Sequence, residues 1–240
     1  MKKTLFTLLL AFGGFNAAQA ADHATGKVVQ WTPSTWTPTQ QAMPQGNVSA
    51  GEKLHSSLFC ASCHGIKGEA VSNNWPSLAG QRAVYTYKQL LDYQSGLRSE
   101  DARAHIMVVM AQLMDKQQMA DLAAFYAAQA LPCPEGLPKP APALVTVGDP
   151  KRLITPCAAC HGANGQGGLN ETTALRGMPK EYFIRSMELF RDGHRHNDTA
   201  RGMSQFAQPL TDAEIETLAN YYACDTPALI TAQPTAALNQ

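Results

Sequence analysis

The chain has 240 residues carrying 19 basic and 19 acidic side chains, a length that allows one large or two small domains and a charge balance that excludes a strongly basic nucleic-acid binder. Its six cysteines are unevenly placed, and their spacing divides the chain.

Residues 1–20 read as an export signal. Lys2 and Lys3 precede an apolar run from Leu5 to Phe15, and Ala18-Gln19-Ala20 supplies an A-x-A cleavage site. The mature chain is then expected to begin at Ala21 in the periplasm, with 17 basic against 19 acidic residues and a net charge of −2. A membrane anchor is the alternative reading, although the run is short for a span and holds Gly13 and Gly14. No later stretch is apolar enough to cross a bilayer, so membrane association is left open and integral insertion is not expected. Residues 21–48 follow as a polar arm, ordered or partly ordered, expected outside the first domain; whether Trp31 and Trp36 pack on the protein or on a partner is open.

A short helix is expected to carry Gly51 to Cys63. It leads into Cys60-Ala61-Ser62-Cys63-His64, and Cys157-Ala158-Ala159-Cys160-His161 repeats the pattern 97 residues later. C-x-x-C serves redox dithiols, zinc sites or covalent haem attachment. The βαβ pattern of a dithiol enzyme is absent, and no second ligand pair follows at a zinc-finger spacing. The histidine directly after the second cysteine decides for haem. On a helical turn the two sulfurs project to one side at i and i+3, and His64 or His161 turns its ring toward the iron. Two covalently bound haem c groups are expected, one per repeat.

In each repeat a middle helix should begin near Tyr85 and Tyr182, with Thr86, Leu90 and Tyr93 matched by Phe183, Met187 and Phe190. Aligning the segments that follow, with one extra residue in the first, puts Gly193 on Gly96, Arg195 on Arg98 and Met203 on Met107. Met203 lies 42 residues after His161, and Met107 lies 43 after His64. A soft, neutral thioether on the open face of the iron favours the ferrous state and suits electron transfer. Met107 and Met203 are therefore the expected distal ligands, with His64 and His161 proximal. Met110, Met114 and His105 compete for the first iron, His194 and His196 for the second, and His23 and His55 read as structural or solvated.

Each repeat closes on a helix with a buried stripe, Met119, Leu122, Ala123 and Tyr126 in one and Ile215, Leu218, Ala219 and Tyr222 in the other; Asp212 fits the start of the second by cap and dipole preference. Between the repeats, residues 131–150 hold six prolines, an extended connector. The second lead-in should be short or distorted, because Pro156 stands immediately before Cys157. Cys133 and Cys224 are left over, and in an oxidising compartment such a pair is most simply a disulfide; an iron-ligating or catalytic thiol is the rival. With no alternating strand pattern the fold reads as all-α: a first domain at 49–130, a Pro-rich linker at 131–147, a second domain at 148–226 and a tail at 227–240.

"CASCHG", "WPSLAGQ", "YKQLLDYQSGLR", "CAACHG" and "ALRGMPKEYFIRSMELFRDGHR", occurring in order from Ser49 to Ala223, resemble the diheme cytochrome c4 family. The resemblance implies a tandem pair of class I cytochrome c domains related by pseudo-two-fold symmetry, with His/Met-ligated haems whose propionate edges lie close together at the interface. It also implies a periplasmic electron carrier rather than an enzyme, taking electrons from a redox enzyme and passing them to a terminal oxidase or another cytochrome. Some relatives look like acceptors for a thiosulfate dehydrogenase. The rival is a diheme enzyme of thiosulfate dehydrogenase or peroxidase type with one open or Cys-ligated haem. By the same resemblance the Pro76 carbonyl should accept the Nδ1 proton of His64. Thr173 occupies the matching place in the second repeat, which puts that bond in question. Arg98 and Arg195 are expected as propionate contacts or as surface charges.

Overall fold

The computed structural model describes residues 29–169 and 171–223; the export signal, His23, Cys224 and the tail lie outside them. The first half runs α1 (Pro33–Gln41), α2 (Val48–Ser57), α3 (Ala61–His64), α4 (Ala83–Ser95), α5 (Ala102–Gln112) and α6 (Lys116–Ala127). The second runs α7 (Ala143–Thr146), α8 (Cys157–His161), α9 (Lys180–Arg191), α10 (Gly202–Ala207) and α11 (Asp212–Ala223). Among the described residues there is no β-strand, only an isolated bridge between Asp149 and Ile154. The all-α reading stands.

Local chemistry sets the helix limits. Asp115 and Gln118 form a capping box at the start of α6, and Asp101 caps α5 by accepting from the Ala104 N–H at 2.7 Å. At α11 the reciprocal bonds run between Thr211 and Glu214, so the cap is Thr211 and Asp212 is the first helical residue. The closing stripes of α6 and α11 are buried as their spacing predicts, and the same holds for Thr86, Leu90 and Tyr93 on α4 and for Phe183, Met187 and Phe190 on α9.

Two expectations change in the first domain. The helix expected over Gly51–Cys63 is broken in two, because Phe59 sits at a φ of 55° between α2 and α3, a left-handed conformation that ends a helix. The arm is part of the first domain rather than outside it: Thr32 and Thr35 cap α1 reciprocally, and α1 drives Trp36, 3% exposed, into the core beside Tyr87 and Phe125. Trp31 meets Trp36 edge-on at 5.3 Å between ring centres. Both tryptophans pack on the protein.

The two halves anchor their haem-motif turns differently. In the first, α2 lies across α6 at Gly51, where a Cβ would come within 2.1 Å of the Asp121 carbonyl oxygen. Only glycine permits that approach. In the second, Pro156 precedes α8 and there is no long lead-in helix. The connector ends in the single turn α7, whose Val145 is 1% exposed in the second core, so it is not extended throughout. Arg152 then ties the lead-in loop to α11, donating to both Glu214 oxygens at 2.6 and 3.0 Å and to Asp149 at 2.7 Å.

Equivalent segments of the two repeats face each other. The Gln81 amide brackets Ala174, donating to its carbonyl at 2.8 Å and accepting from its N–H at 2.9 Å, while Ser77 Oγ donates to the Gly177 carbonyl at 3.0 Å. Residues 77–81 thus meet the matching stretch from the second repeat, as a pseudo-two-fold contact requires. Cys133 is disulfide-bonded, and its sulfur lies 3.9 Å from the Ala223 carbonyl oxygen.

Two outcomes follow. Gly51→Ala gains some helix propensity, roughly 1 kcal/mol, but the clash is with backbone that cannot swing away, and overpacking of that kind costs about 1–3 kcal/mol; thermal unfolding should show a net loss of stability. The Arg152 guanidinium holds the Glu214 carboxyl down at about 2, below its ordinary 4.5. The pair therefore stabilises fully above pH 4.5 and loses its effect as pH falls toward 2, so Glu214→Gln should lower stability at neutral pH and flatten the acid limb of an unfolding titration.

Candidate haem-binding sites

The two C-x-x-C-H turns are built alike. Cys60 directly precedes α3 and Cys157 opens α8, and each turn ends at a glycine of positive φ, Gly65 at 79° and Gly162 at 82°. The chain reverses there, so the histidine points inward while the cysteines stay toward the outside. His64 and His161 are buried, Cys60, Cys63 and Cys157 are half-buried, and Cys160 is exposed. A side chain that must react with a cofactor edge needs that access.

His64 Nδ1 donates to the Pro76 carbonyl at 3.0 Å, and His161 Nδ1 donates to the Thr173 carbonyl at 2.9 Å. The exchange of proline for threonine leaves the bond intact, because the acceptor is a backbone oxygen that any residue supplies. With Nδ1 committed, Nε2 carries the free lone pair. Burial lowers the pKa of both rings, which keeps the imidazoles neutral and able to bind metal.

In the second half a cavity of about 280 Å³ gathers Cys157, Cys160, His161 and Met203, side chains that sequence separates by up to 46 positions. Its walls include Leu175, Phe183 and Phe206. Burial raises the Cys157 thiol to about 11, as an apolar pocket should. In the first half Met107 lies half-buried on α5, packed against the core. Of its competitors, Met114 belongs to the core, Met110 is half-buried and His105 is exposed. His194 is exposed, and neither it nor His196 lines the cavity. His55 is buried and bonded to the Tyr126 hydroxyl at 2.9 Å, a structural role.

Arg98 and Arg195 are both 5% exposed, so neither is a surface charge. Each guanidinium stacks on an aromatic ring of its own half, Tyr93 at 4.6 Å and Phe190 at 4.3 Å, and both reach Gln89 Oε1, at 2.7 and 3.3 Å. Glu100 balances Arg98 at 3.0 Å. Arg195 lines the cavity and, among the described residues, faces no carboxylate within ion-pair distance. A buried cation without a direct ion pair favours an anion beside it, and haem carries two propionates. The donor set and this charge both fit the group.

The sequence reading missed Lys88, Gln89, Asp92 and Asn197, which form a buried polar node between the halves. The signal on offer was a lysine, a glutamine and an aspartate on the side of α4 adjoining its apolar stripe.

The cytochrome c family pattern matches residues 48–127 and 150–222. A cytochrome c4 from Thiocapsa roseopersicina is 34% identical over 76% of this chain and 95% of its own. The chain belongs to the cytochrome c4 family. It is a diheme electron-transfer cytochrome with two covalently bound haem c groups. The reduced cytochrome c4 of Pseudomonas stutzeri superimposes with a TM-score of 0.65 at 29% identity, covering 74% of this chain and 98% of that one. A protein of Stutzerimonas stutzeri described as a thiosulfate dehydrogenase electron acceptor is 30% identical over 75% of this chain and 88% of its own. A thiosulfate dehydrogenase from Marichromatium purpuratum gives a TM-score of 0.64 at 26% identity, over 74% of this chain and 40% of that one.

Because the Thr173 carbonyl, not its side chain, orients His161, Thr173→Ala should leave the second haem's spectrum and potential unchanged. It removes the hydroxyl bond to Gln81 at 3.0 Å and should lower stability by about 1 kcal/mol in equilibrium unfolding.

Proposed function

We propose that the exported chain shuttles electrons in the periplasm between a redox enzyme and a respiratory acceptor, with His64 and Met107 ligating one iron and His161 and Met203 the other. The observation that carries this reading is the meeting of Met203 and His161 in one cavity with the two cysteines of the motif. When bound, the haems supply one-electron ferric/ferrous chemistry. The chain's own residues orient the imidazoles through Pro76 and Thr173; Met107 and Met203 would offer soft sulfur to the irons, and Arg195 would offset the carboxylate charge of the second haem. Ligands that stay in place through the redox cycle minimise reorganisation, and the two repeats, joined through Gln81, Ser77 and the polar node, keep the centres in one body.

Among described residues no helix is long and apolar enough to cross a membrane, and the reading places the protein free in the periplasm or loosely on the membrane surface. A thiosulfate dehydrogenase is the proposed donor class, by similarity to the acceptor protein of Stutzerimonas stutzeri, and a terminal oxidase or another cytochrome the acceptor. Redox partners of this kind dock weakly over small areas. Against an enzyme with a Cys-ligated haem stands the disulfide at Cys133, which leaves no thiolate there to offer an iron.

Replacing either methionine tests the ligand sets separately. Met203→Ala should remove the second haem's share of the near-red methionine-to-iron absorbance band in ferric protein and lower that haem's potential, leaving the first unchanged. Met107→Ala should do the reverse. A band of full strength in either variant would reject that ligand.

A further inference from the structure

We infer that the N-terminal arm is a positioning strap that holds the Met203 loop of the second domain in a strained conformation from its seat on the first. The inference rests on Met203 as the distal ligand. Residues 198–202 approach α10 through two consecutive non-glycine residues in the left-handed region, Ala200 at a φ of 54° and Arg201 at 58°. Side chains with a Cβ disfavour that region, and a pair of them persists only where neighbours over-determine the backbone. Met203 lies two residues past the strained pair.

The loop is bracketed from two sides. Within it, the Asp198 carboxylate accepts from Ser204 N–H at 2.9 Å and Ser204 Oγ at 3.0 Å, closing the turn around Met203. From outside come arm residues far away in sequence: the Trp31 carbonyl accepts the Ala200 N–H at 3.1 Å, and Gln30 Nε2 donates to the carbonyls of Asp198, at 2.9 Å, and His196. The arm thus fixes the strained residue itself and the backbone before it.

Its own anchorage lies in the first domain. Trp36 is buried in that core, and Trp31 Nε1 donates to Asp92. Asp92 also accepts from Lys88 Nζ at 2.7 Å and from Asn197 Nδ2 at 2.6 Å, and Lys88 Nζ donates onward to the Asn197 carbonyl at 2.6 Å. That ammonium lies 5.7 Å from the ring centres of both Trp31 and Trp36, within cation–π reach. One buried node therefore links arm, first domain and the start of the Met203 loop. The first repeat has no such device among the described residues, since Met107 sits inside the regular helix α5 and needs no outside support.

The test uses full-length exported haem protein and reads ligation directly. Wild-type ferric protein should show the near-red band for both haems, and reduced protein should bind no carbon monoxide. Gln30→Ala with Trp31→Ala, which spares Trp36, should weaken the band by up to half and let one of the two haems take carbon monoxide. Adding Ala200→Gly and Arg201→Gly, which adopt positive φ without strain, should restore the band and exclude carbon monoxide again. Gln30→Ala alone should give a smaller effect in the same direction, which keeps the idea open to refutation if the double variant fails to fold. A wild-type band that Met203→Ala leaves undiminished overturns the Met203 assignment and the strap with it. A full wild-type band that Gln30→Ala and the double variant leave untouched, or a loss the glycine pair does not reverse, overturns the strap alone.

Discussion

The hydrogen bond from a buried histidine to a backbone carbonyl twelve residues further on is the constraint around which each half is arranged. It holds at 3.0 Å in one half and 2.9 Å in the other, although the acceptor residue changes from proline to threonine. The glycine that ends each C-x-x-C-H turn reverses the chain, and the returning loop brings its carbonyl under the imidazole. That loop is held in its turn: Gly80 N–H donates to the Tyr126 carbonyl and Gly177 N–H to the Tyr222 carbonyl, each at 2.8 Å. The last helix of each repeat therefore sets the height of the proximal loop, and the loop sets the ring. Packing, chain reversal and metal chemistry meet in that one sequence of contacts.

Around this shared frame the halves have diverged in how they support the haem motif. The first uses helix-on-helix packing at a glycine, and the second uses a bidentate arginine between a short loop and the closing helix. The first relies on apolar contact, which ionic strength and pH scarcely touch; the second relies on charge, which both affect. The segments that carry the two proposed methionine ligands differ as well. Met107 rides on an eleven-residue helix, whereas Met203 stands near the start of a six-residue helix entered through a strained bend. The two methionines proposed as ligands are thus placed in unlike mechanical surroundings.

Much of this was legible in the sequence, for identifiable reasons. Helix stripes such as Ile215, Leu218, Ala219 and Tyr222 declare themselves by period, and the motif pairs by their repeat of register 97 residues apart. Thr173 misled because a side-chain difference says nothing about a backbone acceptor. Trp36 was left open for a different reason: an arm rich in threonine and proline reads as lying outside the first domain, yet a single large ring with a capped helix behind it is enough to join a core. Phe59 could not be foreseen, since nothing in its type predicts a left-handed backbone. Lys88 and Asp92 escaped because buried charge is rare: their i,i+4 ion pair reads as a solvated helix face, and the Asn197 amide that hydrogen-bonds to it lies over a hundred positions away.

The same buried polar groups explain why the two halves form one unit. Lys88, Asp92, Gln89, Asn197, Arg98 and Arg195 satisfy one another across the interface, and separating the halves would leave them in mutual want of partners. All of that architecture serves two prosthetic groups joined to the chain through sulfur, and intact-mass measurement on the denatured holoprotein tests this most directly. The account predicts two haem masses retained per chain under conditions that dissolve every non-covalent contact, falling to one when Cys157 and Cys160 are both replaced by alanine. Protein that sheds its haem on denaturation, or that retains a single haem before any replacement, would contradict it.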